Sequence, residues 1–457
     1  MPNDIFQTKE LLPEPENIYQ AFKTDSVNRV DLVFDLFEMI NTPSFEISSI
    51  AIDGQWGSGK TFFIQMLMML IESKANKKDL KDEYKDFVLQ IERKYNTRET
   101  ECLITPVYYD SWQNDSMSEP VLSLLYTICK QTNTAAKFAP KIEKITKSLT
   151  NSTVNFFLKV FSAYAQAPDL TKLKDALCKA FSSDSPFSSV IDTEELSKDI
   201  RGLLKEIITK NEKPLVVFID ELDRCRPSFA IKLLESNKHY FYSDNILFVF
   251  SVNLSELQHS IKCIYGQQFD ATRYLDRFFN VRFNLPSVDV RTYLEREYEN
   301  NKLRGLSLEI TEYLSAEYKL QLREICKFGA QISLITKSIY SQEYDSYESA
   351  KNFISLIFVP IALCLKFVDL EQYKLFMTGN GQEVLKKLSS TRFIKHFCSL
   401  YLGKQGAIPE NLIYQTLITA YNLLFTPADV NVERRLGKCD FYPNCGELFL
   451  RKVGFFS

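Results

Sequence analysis

Short apolar runs alternate with longer stretches of helical periodicity through the first 290 or so residues, and that rhythm predicts a parallel sheet flanked by helices. Val30, Leu32, Val33, Leu36, Phe37 and Ile40 recur at helical spacing within residues 25–44, and Asn41, Thr42 and Pro43 then stop the helix. Ile47–Asp53 is a short apolar run that ends in glycine, which reads as a strand. Thr61–Glu72 is apolar almost all round, so most of that helix must be buried. Leu103–Tyr109 reads as a second strand. Leu215–Ile219, after Pro214, and Ile246–Val252 are continuous β-branched and aromatic runs that suit strands buried on both faces. Asn280–Leu285 is a fifth, partly alternating.

The remaining stretches set the expected organisation. Residues 1–24 read as a poorly ordered leader, polar and acidic, with no signal-peptide pattern. Residues 25–286 form the α/β domain, with helical insertions over about 73–101 and 113–213. The first insertion is heavily charged with mixed signs, a solvated pattern. The second carries Ser/Thr/Asp-rich breaks near 148–153 and 182–196. After Pro286 the strand signals fade, and residues 287–457 read as a helical C-terminal domain. Val154–Ala163 and Phe353–Phe367 are the longest apolar runs, both short of the roughly 20 residues a membrane span needs. The second reads as a buried core helix kinked at Pro360.

Composition narrows the class. Over 457 residues, 45% hydrophobic and 25% charged is ordinary for a globular chain with a large core. With 55 basic and 58 acidic residues the net charge is -3, so no overall nucleic-acid signature exists. Ten cysteines are scattered without a framework, as expected of reduced thiols in a cytoplasmic protein. The close pair Cys439 and Cys445 has no nearby histidine to complete a zinc site. Only 14 glycines occur, which gives weight to any cluster of them.

One such cluster is Gly54-Gln55-Trp56-Gly57-Ser58-Gly59-Lys60-Thr61, which fits G-x-x-x-x-G-K-[ST]. The glycines let backbone N–H groups approach phosphate oxygens, and the helix beginning near Lys60 points its positive end at them. Lys60 supplies charge to the β- and γ-phosphates of ATP, and Thr61 a hydroxyl to Mg²⁺. Phe62 follows directly in the binding segment. Four fixed positions match by chance about once or twice in a hundred chains of this length, and the motif sits between a strand and a helix, as the chemistry requires. A second strand should end in acids. Leu215–Asp223 supplies it, with Asp220 reaching the metal and Glu221 polarising the attacking water. Asp223 is a weaker candidate. Asn253, at the end of the run Ile246–Val252, is read either as an amide orienting water near the γ-phosphate or as a turn former. Hydrolysis also calls for an arginine near the γ-phosphate. The candidates are Arg224, Arg226, Arg273 and Arg277. Arg277, just before the last strand, is taken as the catalytic choice, against a surface or salt-bridged role.

These residues together resemble the KAP family of P-loop NTPases over roughly residues 25–290. Asp25-Ser26-Val27-Asn28-Arg29 is similar to that family's Asp…Arg segment. Trp56–Thr61 has its Trp-Gly-Ser-Gly-Lys-Thr form. Tyr108-Tyr109-Asp110-Ser111-Trp112 looks like its aromatic strand and turn. Phe218–Cys225 and Tyr274–Pro286 resemble its acidic motif and the segment after the sensor strand. The resemblance implies an additional strand between the P-loop strand and the acidic strand, for which Leu103–Tyr109 or a neighbour is available. It implies a switch-like ATPase acting in multiprotein assemblies, with bacterial members in anti-phage defence, and a membrane association that is common in the family. Here residues 113–213 hold no adequate span, so a soluble form is expected, with peripheral membrane association left open. Where many members carry an acid near the sensor position, this chain has Asn253. Tyr108 and Trp112 are read as core packing.

The leading expectation is therefore a Mg²⁺-dependent, ATP-hydrolysing switch that self-associates or meets a protein partner. The alternative is a nucleotide-sensing scaffold with little turnover that recruits an effector. A small-molecule kinase finds no arginine-rich lid, and a DNA motor finds no basic excess.

Overall fold

The computed structural model describes residues 12–75, 81–84, 86, 101–135, 193–297, 306–340, 348–402, 409–427, 435–436, 439–441 and 445–455, apart from 26, 118–119, 242 and 244. Most of the charged insertion at 73–101, both predicted breaks except residues 193–196, and the apolar run 154–163 lie outside the described residues.

The chain divides into two compact units. The first to consider is Pro13–Lys23 with Arg29–Pro286. Its centre is a parallel five-stranded sheet, among the described residues, of β1 (Ser49–Asp53), β2 (Thr105–Asp110), β3 (Leu215–Asp220), β4 (Ile246–Val252) and β5 (Val281–Asn284), in the order β2-β3-β4-β1-β5. Every residue of β3 and β4 is buried, which is why those segments are unbroken apolar runs rather than alternating ones. Edge strand β5 is mostly exposed and alternates. The strand that separates β1 from β3 is β4; Leu103–Tyr109 supplies β2 at the far edge instead.

Helices cover both faces. α1 (Pro15–Thr24) buries Ile18, Tyr19, Ala21 and Phe22. This corrects the expectation of a poorly ordered leader for residues 15–24, residues 1–11 lying outside the described residues: the apolar residues, though few, fall on one helical face. α2 (Val30–Ile40) buries Val30, Val33, Phe34, Leu36, Phe37 and Ile40. α3 (Lys60–Lys74) buries nearly its whole length from Phe62 to Ile71, as its uniform apolarity requires. The loop after β2 forms α4 (Ser111–Asn114), followed by α5 (Pro120–Gln131) and α6 (Thr193–Asn211). α7 (Pro227–Tyr240), α8 (Leu254–Tyr265) and the short α9 (Ala271–Leu275) complete the unit.

The register sets where chemistry can gather. Asp110 pairs with Asp220, Asp220 with Ser251, and Asp53 with Val252. The strands therefore end level, and Asp53, Asp110 and Asp220 share the carboxyl edge of the sheet. In open parallel sheets that edge is where ligands bind.

The second unit includes Ser287–Ser457, and its described residues are helical apart from a two-stranded ribbon, Arg435–Leu436 with Cys439–Asp440, and connecting turns. Its core is the segment Ala350–Val368, the one described helix long and apolar enough to cross a membrane, and most of it is buried within the protein. Pro360 does not simply kink it. A π-helical turn at Ile354–Phe358, closed by Val359 N–H donating to Ile354 O, directly precedes the proline, which lacks an N–H of its own.

Candidate functional site

The loop from Gly54 to Gly59 leaves the end of β1 and turns into α3. Gly57 and Gly59 have φ of 80° and 87°, angles that other residues adopt only with strain. A Cβ on Gly54 would come within 2.8 Å of Ser58 Oγ, so the loop closes tightly on itself. Gly54 N–H donates to Val252 O at 3.1 Å, which fixes the loop to the central strand. The Lys60 ammonium is buried and donates to Gly54 O at 2.6 Å and Gln55 O at 3.3 Å. Burial lowers its pKa, while Asp223 and then Asp220 pull it back up. β1 and β3 end level across β4, so the loop lysine after β1 and the acids that end β3 meet at the same carboxyl edge of the sheet.

The acidic side is built by β3 and the 3₁₀ turn after it. Asp220, 1% exposed, accepts from Tyr108 OH at 3.0 Å and from the Glu221 amide at 2.9 Å. Glu221 has φ 58°, a left-handed backbone uncommon for this residue type, and its carboxylate pairs with Arg224 at 3.0 Å. Burial raises the Glu221 carboxyl above its ordinary range; Arg224 opposes this. Asp223 accepts from Trp56 Nε1 at 2.5 Å, linking the P-loop to the acidic turn directly. Burial raises Asp223 also, opposed by Lys60 and by the Trp56 bond. Asp110 is raised by burial, and it caps α4 by accepting from Gln113 N–H at 2.9 Å.

Two further groups fit a phosphate ligand. Ser58 Oγ and Asp223 Oδ1 are buried with no hydrogen-bond partner among the described residues. An orphaned hydroxyl within a glycine loop, a buried ammonium and hard carboxylate oxygens form the donor set that suits a triphosphate and a magnesium ion. Gln55, Trp56 and Thr61 complete the segment, with Trp56 47% exposed at its rim and Phe62 turned into the core.

Arg29 was legible only as part of a resemblance, and the fold gives it a physical role. It is 2% exposed, and its guanidinium donates to Ser58 O at 2.9 Å, Gly59 O at 3.3 Å and Pro286 O at 2.8 Å. Burial lowers its pKa to about 10. It braces the end of the phosphate loop against the end of the sheet unit.

Other sequence expectations resolve differently. Asn253 caps α8: its side-chain oxygen accepts from Ser255 Oγ at 2.7 Å and from Glu256 N–H at 3.4 Å. The turn-forming alternative thus describes its oxygen, although the residue stays at the level of the acidic turn. Arg277 is not brought to the phosphate loop of its own chain. It lines a small cavity of about 230 Å³ with Ser48 and Ser49, at the start of β1, whereas the loop leaves the other end. Four strand steps separate the two ends by roughly 13 Å. The sequence held the signal for this, because the residues just before a parallel strand lie at its amino edge and Arg277 shortly precedes β5. Arg226 pairs with Asp115 at 3.2 Å, and Arg273, mostly exposed, with Asp270 at 3.3 Å. Trp112, expected in the core, is 56% exposed, and the Arg224 guanidinium lies over its ring at 5.7 Å.

The family model for the KAP family P-loop domain matches residues 33–340. No curated protein matches. Two solved structures of the Aeropyrum pernix ORC2 protein are similar at low identity. The ADPNP–ADP form aligns at 12% identity and TM-score 0.31, covering 100% of this chain and 97% of that one. The ADP form aligns at 13% and 0.27, covering 94% and 85%.

Proposed function

We propose, for a chain that belongs to the KAP family of P-loop domains, an ATP-driven molecular switch that binds Mg·ATP at Gly54–Thr61 and hydrolyses it. The observation that carries the reading is the joining of phosphate loop to acidic turn: Lys60 feels Asp223 and Asp220, and Trp56 of the loop holds Asp223 at 2.5 Å. Loop amides and the N-terminus of α3 would hold the phosphates, with Lys60 neutralising the β- and γ-phosphate charge. Thr61 and Asp220 are the residues that would hold magnesium, which when bound neutralises charge on the phosphate oxygens. Glu221 takes the proton of the attacking water; its raised pKa brings it nearer to a working base at neutral pH. Asn253 lies beside the acidic turn, and its amide nitrogen is the group available for the γ-phosphate.

The domain from Arg29 to Pro286 is the motor, and the helical residues 287–457 carry its output to a second copy or a protein partner. Family membership supports a multiprotein assembly, such as anti-phage defence, as the setting. Phosphate release from Mg·ATP by the purified chain tests the reading. Turnover that Lys60→Ala abolishes and magnesium removal stops is expected. Tight binding with no release, alone or with a partner, would leave a nucleotide sensor instead. Phage plating on cells carrying the intact or the Lys60→Ala chain tests the setting, and equal protection would reject it.

A further inference from the structure

Four arginines near the acidic turn or the last strand were candidates to meet the γ-phosphate, and the fold separates them by place. Arg226, Arg273 and Arg277 are held by Asp115, by Asp270 and at the opposite end of the sheet. Arg224 is the one of the four that pairs with the acidic turn itself, at Glu221. Its charge bears on buried Lys60 and opposes the charged ammonium. Its guanidinium is only 28% exposed, it is backed by the ring of Trp112, and it is paired with Glu221 at 3.0 Å.

This pairing is chemically awkward for catalysis. A carboxylate that must take a proton from water is already engaged by a cation, and its backbone lies in the left-handed region. We propose that Arg224 exchanges partners: it holds Glu221 while the γ-phosphate is missing, and swings to the γ-phosphate when ATP binds, freeing Glu221 to face water. Arg224 then discriminates ATP from ADP, since only a triphosphate offers the competing anion. Guanidinium forks bind carboxylate and phosphate in the same two-pronged geometry, so one side chain serves both. Trp112 is the platform on which the guanidinium pivots, and its exposed face makes it a reporter of the exchange. The surrounding loop is fixed, because Arg226 N–H and Nε both donate to Asp115 and Asp110 caps α4.

The inference rests on the nucleotide-binding part of the proposed function and not on turnover. Affinities for Mg·ATPγS and Mg·ADP are therefore measured by calorimetry in four proteins: the unaltered chain, Arg224→Gln, Glu221→Gln and the double variant. Arg224→Gln is expected to weaken ATPγS at least tenfold and ADP less than twofold. Glu221→Gln, which releases Arg224, is expected to tighten ATPγS severalfold, and that gain is expected to vanish in the double variant. Retained ADP binding certifies that each variant is folded. Tryptophan emission of the unaltered chain should change on adding ATPγS, not ADP, and this response should be lost with Trp112→Phe and with Arg224→Gln. Equal losses for ATPγS and ADP would mark Arg224 as merely structural and overturn the exchange, as would unchanged ATPγS affinity. Normal discrimination by Arg224 with no phosphate release would instead sink the ATPase cycle and leave the exchange standing.

Discussion

Lys60 and Glu221 are each one side chain on which the proposed chemistry turns. Lys60→Ala removes a buried cation that the loop carbonyls of Gly54 and Gln55 already hold. Nucleotide affinity should fall by at least tenfold, read by calorimetry with Mg·ADP. Glu221→Gln should lower turnover by about 10²-fold or more, the range ascribed to a positioned general base, while bound ATP persists on a filter. Both residues could be picked from the sequence, since the loop and the acidic turn are each contiguous and their chemistry depends on neighbours along the chain. Arg224 and Trp112 could not be assigned that way. The first is one of several arginines of equal appearance, and the second is an aromatic that sequence alone places in the core. Only contact with Glu221 and exposure at the rim distinguish them.

Elements were mostly legible because burial writes itself into periodicity. β3 and β4 appear as unbroken apolar runs since both faces are covered, and α3 is apolar all round for the same reason. Phe63, fully buried in α3 and stacked near Phe283 at 6.5 Å, should cost about 3–5 kcal/mol as Phe63→Ala. Denaturant unfolding measures that loss. α1 was missed because its buried residues are few and two prolines and several acids surround them. Close helix approach is also invisible in a sequence. Gly446, in the helix Cys445–Phe455, would place a Cβ 1.7 Å from Leu424 O of the helix Glu410–Phe425. Gly446→Ala should therefore destabilise the helical unit by roughly 1–3 kcal/mol or more, the range for overpacked contacts, seen as a lower melting temperature.

At the scale of the molecule, ligand binding should feed back on stability. Saturation with Mg·ATPγS at about 100 times its dissociation constant should add about 2.7 kcal/mol to unfolding, a rise in melting temperature that Lys60→Ala removes. Arg29 ties this response to the frame. Arg29→Ala leaves the carbonyls of Ser58, Gly59 and Pro286 without their buried donor, each loss worth about 1–3 kcal/mol. Thermal shift should show a lower baseline and a smaller ligand response.

The sequence by itself determined the class of fold, the five strands and which contiguous segments form the glycine loop and the acidic strand end. Each is set by local pattern: periodicity fixes strands and helices, and both motifs are contiguous. Tertiary structure decided the order of the strands, which acid each arginine pairs with and which groups face one another. Those are relations between distant segments, and parallel pairing with long crossovers leaves no mark of them in any single stretch of chain.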